Sequence, residues 1–252
     1  MRVLVVTAVP VERDAVTRAF GGGTGGSGGD TEVSGAGTEI LTLLPGAELH
    51  RTGAFDVLAG GVGPAAAAAS TAFALAAAAA ESASPSPYGL VVSAGIGGGF
   101  APAAPLGSLV VASAVVAADL GAETLEGFAP VTALGFGRDR FTPPPALVRE
   151  VASATGAAAG PVLTVSTVTG TAERAAALRA AHPGALAEAM EGFGVAEAAE
   201  RAGVPVLELR AVSNAVGPRD RAAWRIGDAL AALTEAFGKT APVLEGWHRH
   251  DH

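Results

Sequence analysis

Three polar side chains, Glu12, Glu191 and Asn214, follow or interrupt apolar segments, and their types can move a proton or hold a polar ligand. Glu12 falls in the first turn of a helix that we predict to begin at Pro10. Because a helix N-terminus favours negative charge, we expect Glu12 to be ionised and able to act as a base. The alternative is a capping box, which needs Ser or Thr three residues earlier. Val9 stands there, so this alternative is weakened but stays open.

Glu191 is a carboxylate among apolar residues and glycines, in the segment AMEGFG. A buried carboxylate needs polar partners. Two sugar hydroxyls or the guanidinium of Arg210 would both serve, and the pattern does not choose between them. Asn214 follows the apolar run 205–212. Asparagine is common in turns for local reasons, but a position at the carboxyl end of a strand makes it a candidate for ligand contact.

Alternating apolar runs and helical segments must position these side chains. We predict strands at 3–6, 39–44, 55–58, 90–93, 109–116, 162–169 and 205–212, and helices at 10–20, 65–80 and 224–237. Continuous apolar strands indicate a sheet covered on both faces, so the predicted fold class is α/β, with three α/β/α layers around a central mixed sheet. Ligands bind beyond the carboxyl ends of strands in such sheets. This rule selects the loops 7–12, 60–63, 94–100, 168–171 and 213–217.

The composition limits the class of protein. The 252 residues are 50% hydrophobic, enough for a sizeable core, and we expect a single domain over 1–252. A net charge of −8 argues against a nucleic-acid partner, and the absence of cysteine excludes disulfides and thiolate chemistry. The N-terminal apolar run is too short and too soon polar for a signal peptide, so we expect a cytoplasmic protein.

Three other stretches carry no predicted chemistry. The alanine-rich run 65–80 is shorter than the roughly 20 residues of a membrane span, so we predict a buried helix and no membrane partner. The glycine-serine tract 21–37 is predicted to be a flexible insertion, and 246–252, with its three histidines, a disordered tail. Gly95 and Gly97 begin a G-x-G element, but Phe100 stands where a dinucleotide site has its third glycine. We expect neither a cofactor nor a metal ion.

Taken together, the segments resemble a known family. The segments VLVVTAVPVERDAV, GGVGPAAAA, SAGIGGGFAPAAPLGSLVV and 182–214 are similar to the purine nucleoside phosphorylase/uridine phosphorylase superfamily, in particular its methylthioadenosine/S-adenosylhomocysteine nucleosidases. Within that superfamily, VSTVTGTAER and SNAVGPRDRAAWRIGDAL most resemble the futalosine hydrolase family. The resemblance runs almost from end to end and implies the nucleoside phosphorylase-like fold.

The resemblance implies a role for each matching position. Glu12 stands where the family has its water-activating carboxylate, and Met190 and Glu191 match the pair that meets the ribose. Asn214 stands where adenine-cleaving relatives have the aspartate that protonates purine N7. The other substrate-binding positions that the resemblance implies are Ile96, Gly97, Gly98, Val168 and Thr169.

The implied reaction is hydrolysis of the N-glycosidic bond of futalosine, which releases hypoxanthine and dehypoxanthine futalosine in menaquinone biosynthesis. Two departures affect the base contacts: Ile96 replaces a serine and Val168 a stacking aromatic residue of the adenine nucleosidases. The amide of Asn214 can donate to N7 or O6 of a 6-oxopurine, whereas an aspartic acid suits a 6-aminopurine. An arginine is expected near the benzoate of the substrate; the candidates are Arg138, Arg140, Arg219 and Arg221.

Alternatives stay open at this stage. One is a purine nucleosidase or a nucleoside phosphorylase of the same superfamily, although a phosphate site would need arginines or hydroxyls that the glycine loops lack. Another is a nucleoside-binding protein without catalysis, because a fold does not fix a function. The expected partners are a nucleoside, water and further copies of the chain, as a homodimer or larger homo-oligomer. The segment 128–141 can supply such an interface or can pack internally.

Overall fold

The computed structural model describes residues 2–21, 37–44, 47–82 and 87–247. The predicted insertion lies outside these residues except at its ends, and so does the segment 248–252. The elements in chain order are β1 (Arg2–Thr7), α1 (Pro10–Phe20), β2 (Glu39–Leu44), β3 (Ala47–Thr52), β4 (Phe55–Ala59), α2 (Pro64–Glu81), β5 (Tyr88–Gly99), β6 (Leu109–Ala117), β7 (Gly121–Thr124), β8 (Gly127–Pro130), β9 (Arg140–Phe141), α3 (Pro145–Thr155), β10 (Ala158–Thr164), α4 (Ala172–Ala181), β11 (Ala187–Ala189), α5 (Gly192–Arg201), β12 (Val206–Ala215) and α6 (Ile226–Gly246).

Strand β1 shows why the fold has three layers. Its side chains alternate between two cores: Val3 and Val5 pack with α1, α3 and α6, whereas Leu4 and Val6 pack with α2 and α5. Both faces of the strand are therefore covered, which explains why its sequence is apolar without alternation. The predicted α/β class with helices on both faces of a mixed sheet is confirmed.

The main sheet is partly open and partly closed. Its strand order is β11-β10-β6-β12-β5-β1-β4-β3-β2, and β9 pairs with β6. Strand β11 pairs in parallel with β10 and also antiparallel with β5. Five strands, β5, β12, β6, β10 and β11, therefore close into a ring. The carboxyl end of β5 therefore has the parallel strand β12 on one edge and the antiparallel strand β11 on the other.

Two predicted strands are longer than expected. Strand β5 continues through the glycines to Gly99, because β12 and β11 both pair with this part of it. Strand β12 continues to Ala215, so Asn214 lies within a strand rather than in the turn after it. The pairing with β5 skips one residue between Val212 and Asn214, which is a β-bulge.

The predicted strand 162–169 was wrong at its carboxyl end. Strand β10 ends at Thr164, where its partners Ala117 and Ala189 are also the last residues of their own strands. Residues 165–169 then have no strand on either side with which to continue a ladder. They form a loop instead.

Two of the predicted helices, 65–80 and 224–237, are present but differ from the prediction in burial or in length. The alanine-rich helix is present as α2, but it is not buried throughout: Ala67, Thr71, Ala74 and Leu75 are its buried residues. It is long and apolar enough to cross a membrane by length and composition, with a mean hydropathy of 1.2, and it packs along α5. Helix α6 runs well past the predicted end, and Trp247 after it is buried. The predicted tail therefore does not begin at 246.

Candidate active site

One cavity of about 370 Å³ is lined by all nine residues to which the resemblance assigns a catalytic or substrate-binding role. These residues come from the ends of β1, β5, β10, β11 and β12. They are Glu12, Ile96, Gly97, Gly98, Val168, Thr169, Met190, Glu191 and Asn214. A cavity of this size suits a small-molecule ligand.

Glu12 is held in place by backbone N–H groups. Its Oε2 accepts hydrogen bonds from the N–H groups of Ala8 at 3.0 Å and Val9 at 3.3 Å, and its Oε1 accepts one from Ile96 at 2.8 Å. The bond to Val9 is the carboxylate half of a capping box; valine has no side-chain oxygen for the other half. Glu12 therefore caps its own helix and at the same time lines the cavity.

Burial acts on Glu12 in the opposite direction to the helix N-terminus. Glu12 is 3% exposed, and this burial raises the pKa of its carboxyl group. The N–H of Ile96 and the positive charge of Arg210 act in the opposite direction but do not outweigh it. A carboxylate with a raised pKa holds a proton more strongly, so it is a better base whenever it is ionised.

Glu191 lies at the N-cap position of α5, two residues after the end of β11. Its Oε1 accepts from the N–H of Gly63 at 3.2 Å, and its Oε2 accepts from its neighbour Met190 at 3.3 Å. The same Oε2 lies 3.4 Å from Nη1 of Arg210. Arg210 is therefore a partner of Glu191, and the carboxylate still borders the cavity. The ion pair with Arg210 and hydrogen bonds to sugar hydroxyls are thus compatible.

Arg210 is fully buried and surrounded by acceptors. Its Nε donates to Oε1 of Glu208 at 2.9 Å, and its Nη2 donates to the hydroxyl of Ser93 at 2.9 Å. A Cβ atom at Gly95 would lie 2.7 Å from Oε1 of Glu12 and 2.8 Å from Nη1 of Arg210. The absence of a side chain at Gly95 therefore lets the cation approach both cavity carboxylates.

Asn214 is oriented by its neighbour. The hydroxyl of Ser213 donates to Oδ1 of Asn214 at 2.9 Å, and the amide nitrogen Nδ2 donates to the carbonyl of Ala215 at 3.1 Å. Nδ2 would lie 3.2 Å from a Cβ atom at Gly98, on the floor of the cavity. The amide therefore turns its N–H group toward the glycines and its oxygen toward Ser213.

Several cavity residues were missed from the sequence. Glu188 binds the loop residue Thr169, whose N–H donates to Oε1 at 2.8 Å and whose hydroxyl donates to Oε2. The sequence feature that could have identified Glu188 is a second acidic residue in an otherwise apolar segment, three residues before Glu191. Trp224 was also missed; it lines the cavity beside Arg219, which the sequence had offered as a candidate, and the guanidinium of Arg219 lies 5.2 Å from its ring.

Of the four arginines considered for the benzoate, all within the described residues, Arg219 is the one that lines the cavity. Arg138 instead donates to Glu200 at 2.9 Å on the surface. Arg140 borders a different pocket together with Arg138.

Residues 3–244 match the model of the phosphorylase superfamily. The chain is 66% identical to a futalosine hydrolase of Streptomyces coelicolor over 252 residues, which is 100% of both chains. It belongs to the futalosine hydrolase family of this superfamily. The protein is accordingly an enzyme that hydrolyses N-glycosyl bonds.

Two solved structures have a fold similar to that of this chain. The futalosine hydrolase of Helicobacter pylori strain 26695 has a TM-score of 0.76 at 18% identity and covers 96% of this chain and 98% of its own. A methylthioadenosine/S-adenosylhomocysteine nucleosidase from Colwellia psychrerythraea, in complex with adenine, has a TM-score of 0.73 at 21% identity and covers 98% of this chain and 95% of its own. At such identities the likeness concerns the fold, which is nucleoside phosphorylase-like.

Proposed function

We propose that the enzyme hydrolyses futalosine to hypoxanthine and dehypoxanthine futalosine, as a step of menaquinone biosynthesis. The strongest support is the 66% identity to the Streptomyces coelicolor futalosine hydrolase along the whole chain. The cavity supports the same chemistry, because it combines three buried carboxylates, those of Glu12, Glu188 and Glu191, with an oriented carboxamide.

In the proposed mechanism, Glu12 takes a proton from a water molecule whose oxygen bonds to C1′ of the ribose. The bond from C1′ to N9 of the base breaks, and its electron pair leaves with the base. Such a reaction passes through an oxocarbenium-like sugar. Glu191 accepts hydrogen bonds from the 2′ and 3′ hydroxyls, while Nδ2 of Asn214 donates to N7 or O6 and stabilises the negative charge that develops on the base.

The benzoate of futalosine is proposed to meet Arg219. This guanidinium borders the cavity beside Trp224, so a carboxylate and an aromatic ring would each find a matching group there. A guanidinium stacked on a ring still has its donors free along its edge.

A homo-oligomer is proposed as the assembled form. In the segment 128–141, Val131 and Phe141 are buried, whereas Phe128 is 47% and Phe136 64% exposed. Leu125, just before this segment, is fully exposed. Single exposed apolar residues are ordinary, but these lie within one stretch of the chain, which favours an interaction surface there. The mass of the purified protein in solution, measured by light scattering after gel filtration, tests the assembly; a monomer at micromolar concentration contradicts it.

The test of function is the release of free base from futalosine, aminofutalosine and inosine in phosphate-free buffer, followed by chromatography. We expect rapid release of hypoxanthine from futalosine. A reaction that starts only when phosphate is added identifies a phosphorylase, and tight binding of futalosine without release identifies a binding protein. Faster release of adenine from aminofutalosine contradicts the proposed substrate.

A further inference from the structure

A layer of buried polar groups lies behind the wall of the cavity, on strands β12 and β5. Glu208 and Arg210 are two residues apart on β12, so their side chains project from the same face of the sheet. In the parallel pairing with β5, Glu208 lies beside Ser93 and Arg210 beside Gly95. The side chains of Ser93, Glu208 and Arg210 are all fully buried, and none of these three borders the cavity.

The three nitrogens of the Arg210 guanidinium have different surroundings. Nε donates to Oε1 of Glu208 at 2.9 Å, and Nη2 donates to the hydroxyl of Ser93 at 2.9 Å. Nη1 has no hydrogen-bond partner among the described residues, and it lies 3.4 Å from Oε2 of Glu191. Because a guanidinium is planar and rigid, holding two of its nitrogens also fixes the position of the third. Glu208 and Ser93 therefore determine where Nη1 lies.

Nη1 lies close to both carboxylates to which we assign the chemistry. A Cβ atom at Gly95 would be 2.8 Å from Nη1 and 2.7 Å from Oε1 of Glu12, so one small group separates these two atoms. The charge of Arg210 favours the ionised form of Glu12, and the same cation pairs with Glu191. A displaced guanidinium would therefore change Glu12 and Glu191 together.

The carboxylate of Glu208 is more than the fold needs for stability. It is fully buried, and a Cβ atom at Gly192, the first residue of α5, would collide with both of its oxygens. A buried ion pair can often be replaced by apolar residues of similar volume without loss of stability, because desolvation of the two charges offsets their attraction. A role in the site explains better than stability why a carboxylate stands beside Nε of Arg210.

We propose that Glu208 is a positioning residue of the hydrolysis: together with Ser93, it holds Arg210 so that Nη1 stays beside Glu12 and Glu191. The inference rests on the proposed function, from which it takes the roles of the two cavity carboxylates. Glu208 does not border the cavity, so it acts only through Arg210. Turnover is sensitive to such support, since a misplacement of about 1 Å can lower a rate about 100-fold.

Two substitutions at position 208 separate the hydrogen bond from the bulk of the side chain. Glu208→Met removes the acceptor for Nε, whereas Glu208→Gln keeps an oxygen that can accept from it. We expect kcat of Glu208→Met to fall about 10- to 100-fold, with a smaller change in substrate affinity. Glu208→Gln should stay within about threefold of the wild type. Wild-type turnover in Glu208→Met, or equal turnover in the two variants, overturns the inference.

A matched control shows the effect of lost stability alone. Val206 is buried on the same strand and lies two residues before Glu208, within the apolar core. Val206→Ala should lower the free energy of unfolding and leave kcat unchanged. A loss of kcat in Val206→Ala as large as that in Glu208→Met overturns the inference, because any weakening of β12 would then have the same effect.

A double-mutant cycle tests whether Glu208 acts through Arg210. The double variant Glu208→Met/Arg210→Met replaces the whole pair by apolar residues, and its kcat is compared with that of Arg210→Met. We expect the two to agree within about twofold, because Glu208 has nothing to position once the guanidinium is gone. A full further loss from Glu208→Met in this background overturns the inference.

Ser93→Ala tests the second contact in a variant that keeps every buried charge. It removes the acceptor for Nη2, so we expect kcat to fall about threefold or more. Wild-type turnover in Ser93→Ala overturns the hold at two nitrogens. Equilibrium binding counts the competent sites of each variant, so unfolded protein does not lower the measured kcat.

The two proposals fail separately. All variants are assayed on the nucleoside that the wild type hydrolyses fastest. A wild type that is inactive on futalosine but hydrolyses another nucleoside refutes the proposed substrate, and the comparison of Glu208→Met with Glu208→Gln can still be made. A wild type that hydrolyses futalosine while Glu208→Met keeps full turnover refutes the role of Glu208 alone.

Discussion

Nη1 of Arg210 lies 3.4 Å from Oε2 of Glu191. The same guanidinium is close enough to Glu12 that a single methyl group at Gly95 would collide with both. One buried cation thus serves the two carboxylates to which we assign the water and the ribose. The charge of Arg210 favours the ionised form of Glu12, and the charge of Glu191 opposes it.

Replacing Arg210 should destabilise the protein strongly. Arg210→Met leaves Glu208 and Glu191 buried without their cation, and breaking a buried pair from one side costs about 3–5 kcal/mol. Arg201→Met is the control, because its ion pair with Glu197 is exposed and contributes about 0–1 kcal/mol. Urea unfolding measures both variants. Similar losses in the two would show that the buried network contributes no more than a surface pair.

Removing the proposed base should affect turnover more than binding. For Glu12→Gln we expect kcat on futalosine to fall about 10²- to 10⁴-fold, the usual contribution of a general base, with substrate affinity largely kept. Glu197→Gln on the exposed face of α5 is the control and should retain wild-type turnover. Rapid-quench kinetics and equilibrium binding separate the two quantities. Near-normal kcat in Glu12→Gln would exclude it as the base.

A methyl group at position 95 should disturb both carboxylates together. Gly95→Ala places its Cβ 2.7 Å from Oε1 of Glu12, closer than side chains tolerate, so we expect activity to fall at least about tenfold. Gly238→Ala in α6 has open space and should stabilise the protein by about 0.5–1 kcal/mol. Activity assays and thermal unfolding test the pair. A fully active Gly95→Ala would contradict the tight approach.

The pH dependence of the free energy of unfolding should reveal the raised pKa of Glu208. Burial raises the pKa of Glu208 in the folded protein, so the folded state holds this proton to a higher pH than the unfolded state does. The resulting stabilisation is complete below about pH 4.5 and is lost as the pH rises through the folded pKa. Relative to Glu208→Gln, the free energy of unfolding of the wild type should therefore fall from pH 4.5 toward neutrality. A difference that is constant, or that grows with pH, contradicts the raised pKa.

The carboxamide at 214 should contribute to the preference for a 6-oxopurine. Asn214→Asp places an acid where Nδ2 now stands beside Gly98, so activity on futalosine should fall and relative activity on aminofutalosine should rise about tenfold or more. Competing the two substrates in one reaction gives the ratio of kcat/KM directly. An unchanged ratio would remove Asn214 from base recognition.

The sequence alone determined the fold class and the candidate residues. The unbroken apolar run in β1 required cover on both faces, and the structure supplies two cores, one on each side of the strand. Glu12, Glu191 and Asn214 stood out because a polar residue beside an apolar strand needs a partner, and a ligand is one of the few partners available. Both inferences depend only on residues that are neighbours in the sequence, so the sequence is enough to make them.

Only the tertiary structure decided which residues meet. The rule that ligands bind at the carboxyl ends of strands accounts for Glu12 and Asn214, whose strands β1 and β12 both run parallel to β5. It did not select Glu188 and Glu191, because the short strand β11, which contains the first and ends two residues before the second, was not predicted from the sequence. The pairing of β11 with β5 that closes the ring of strands joins residues about ninety positions apart, and each strand's own sequence is compatible with other partners. The cavity, the pairing of Arg210 with Glu191 and the position of Glu188 all depend on that closure.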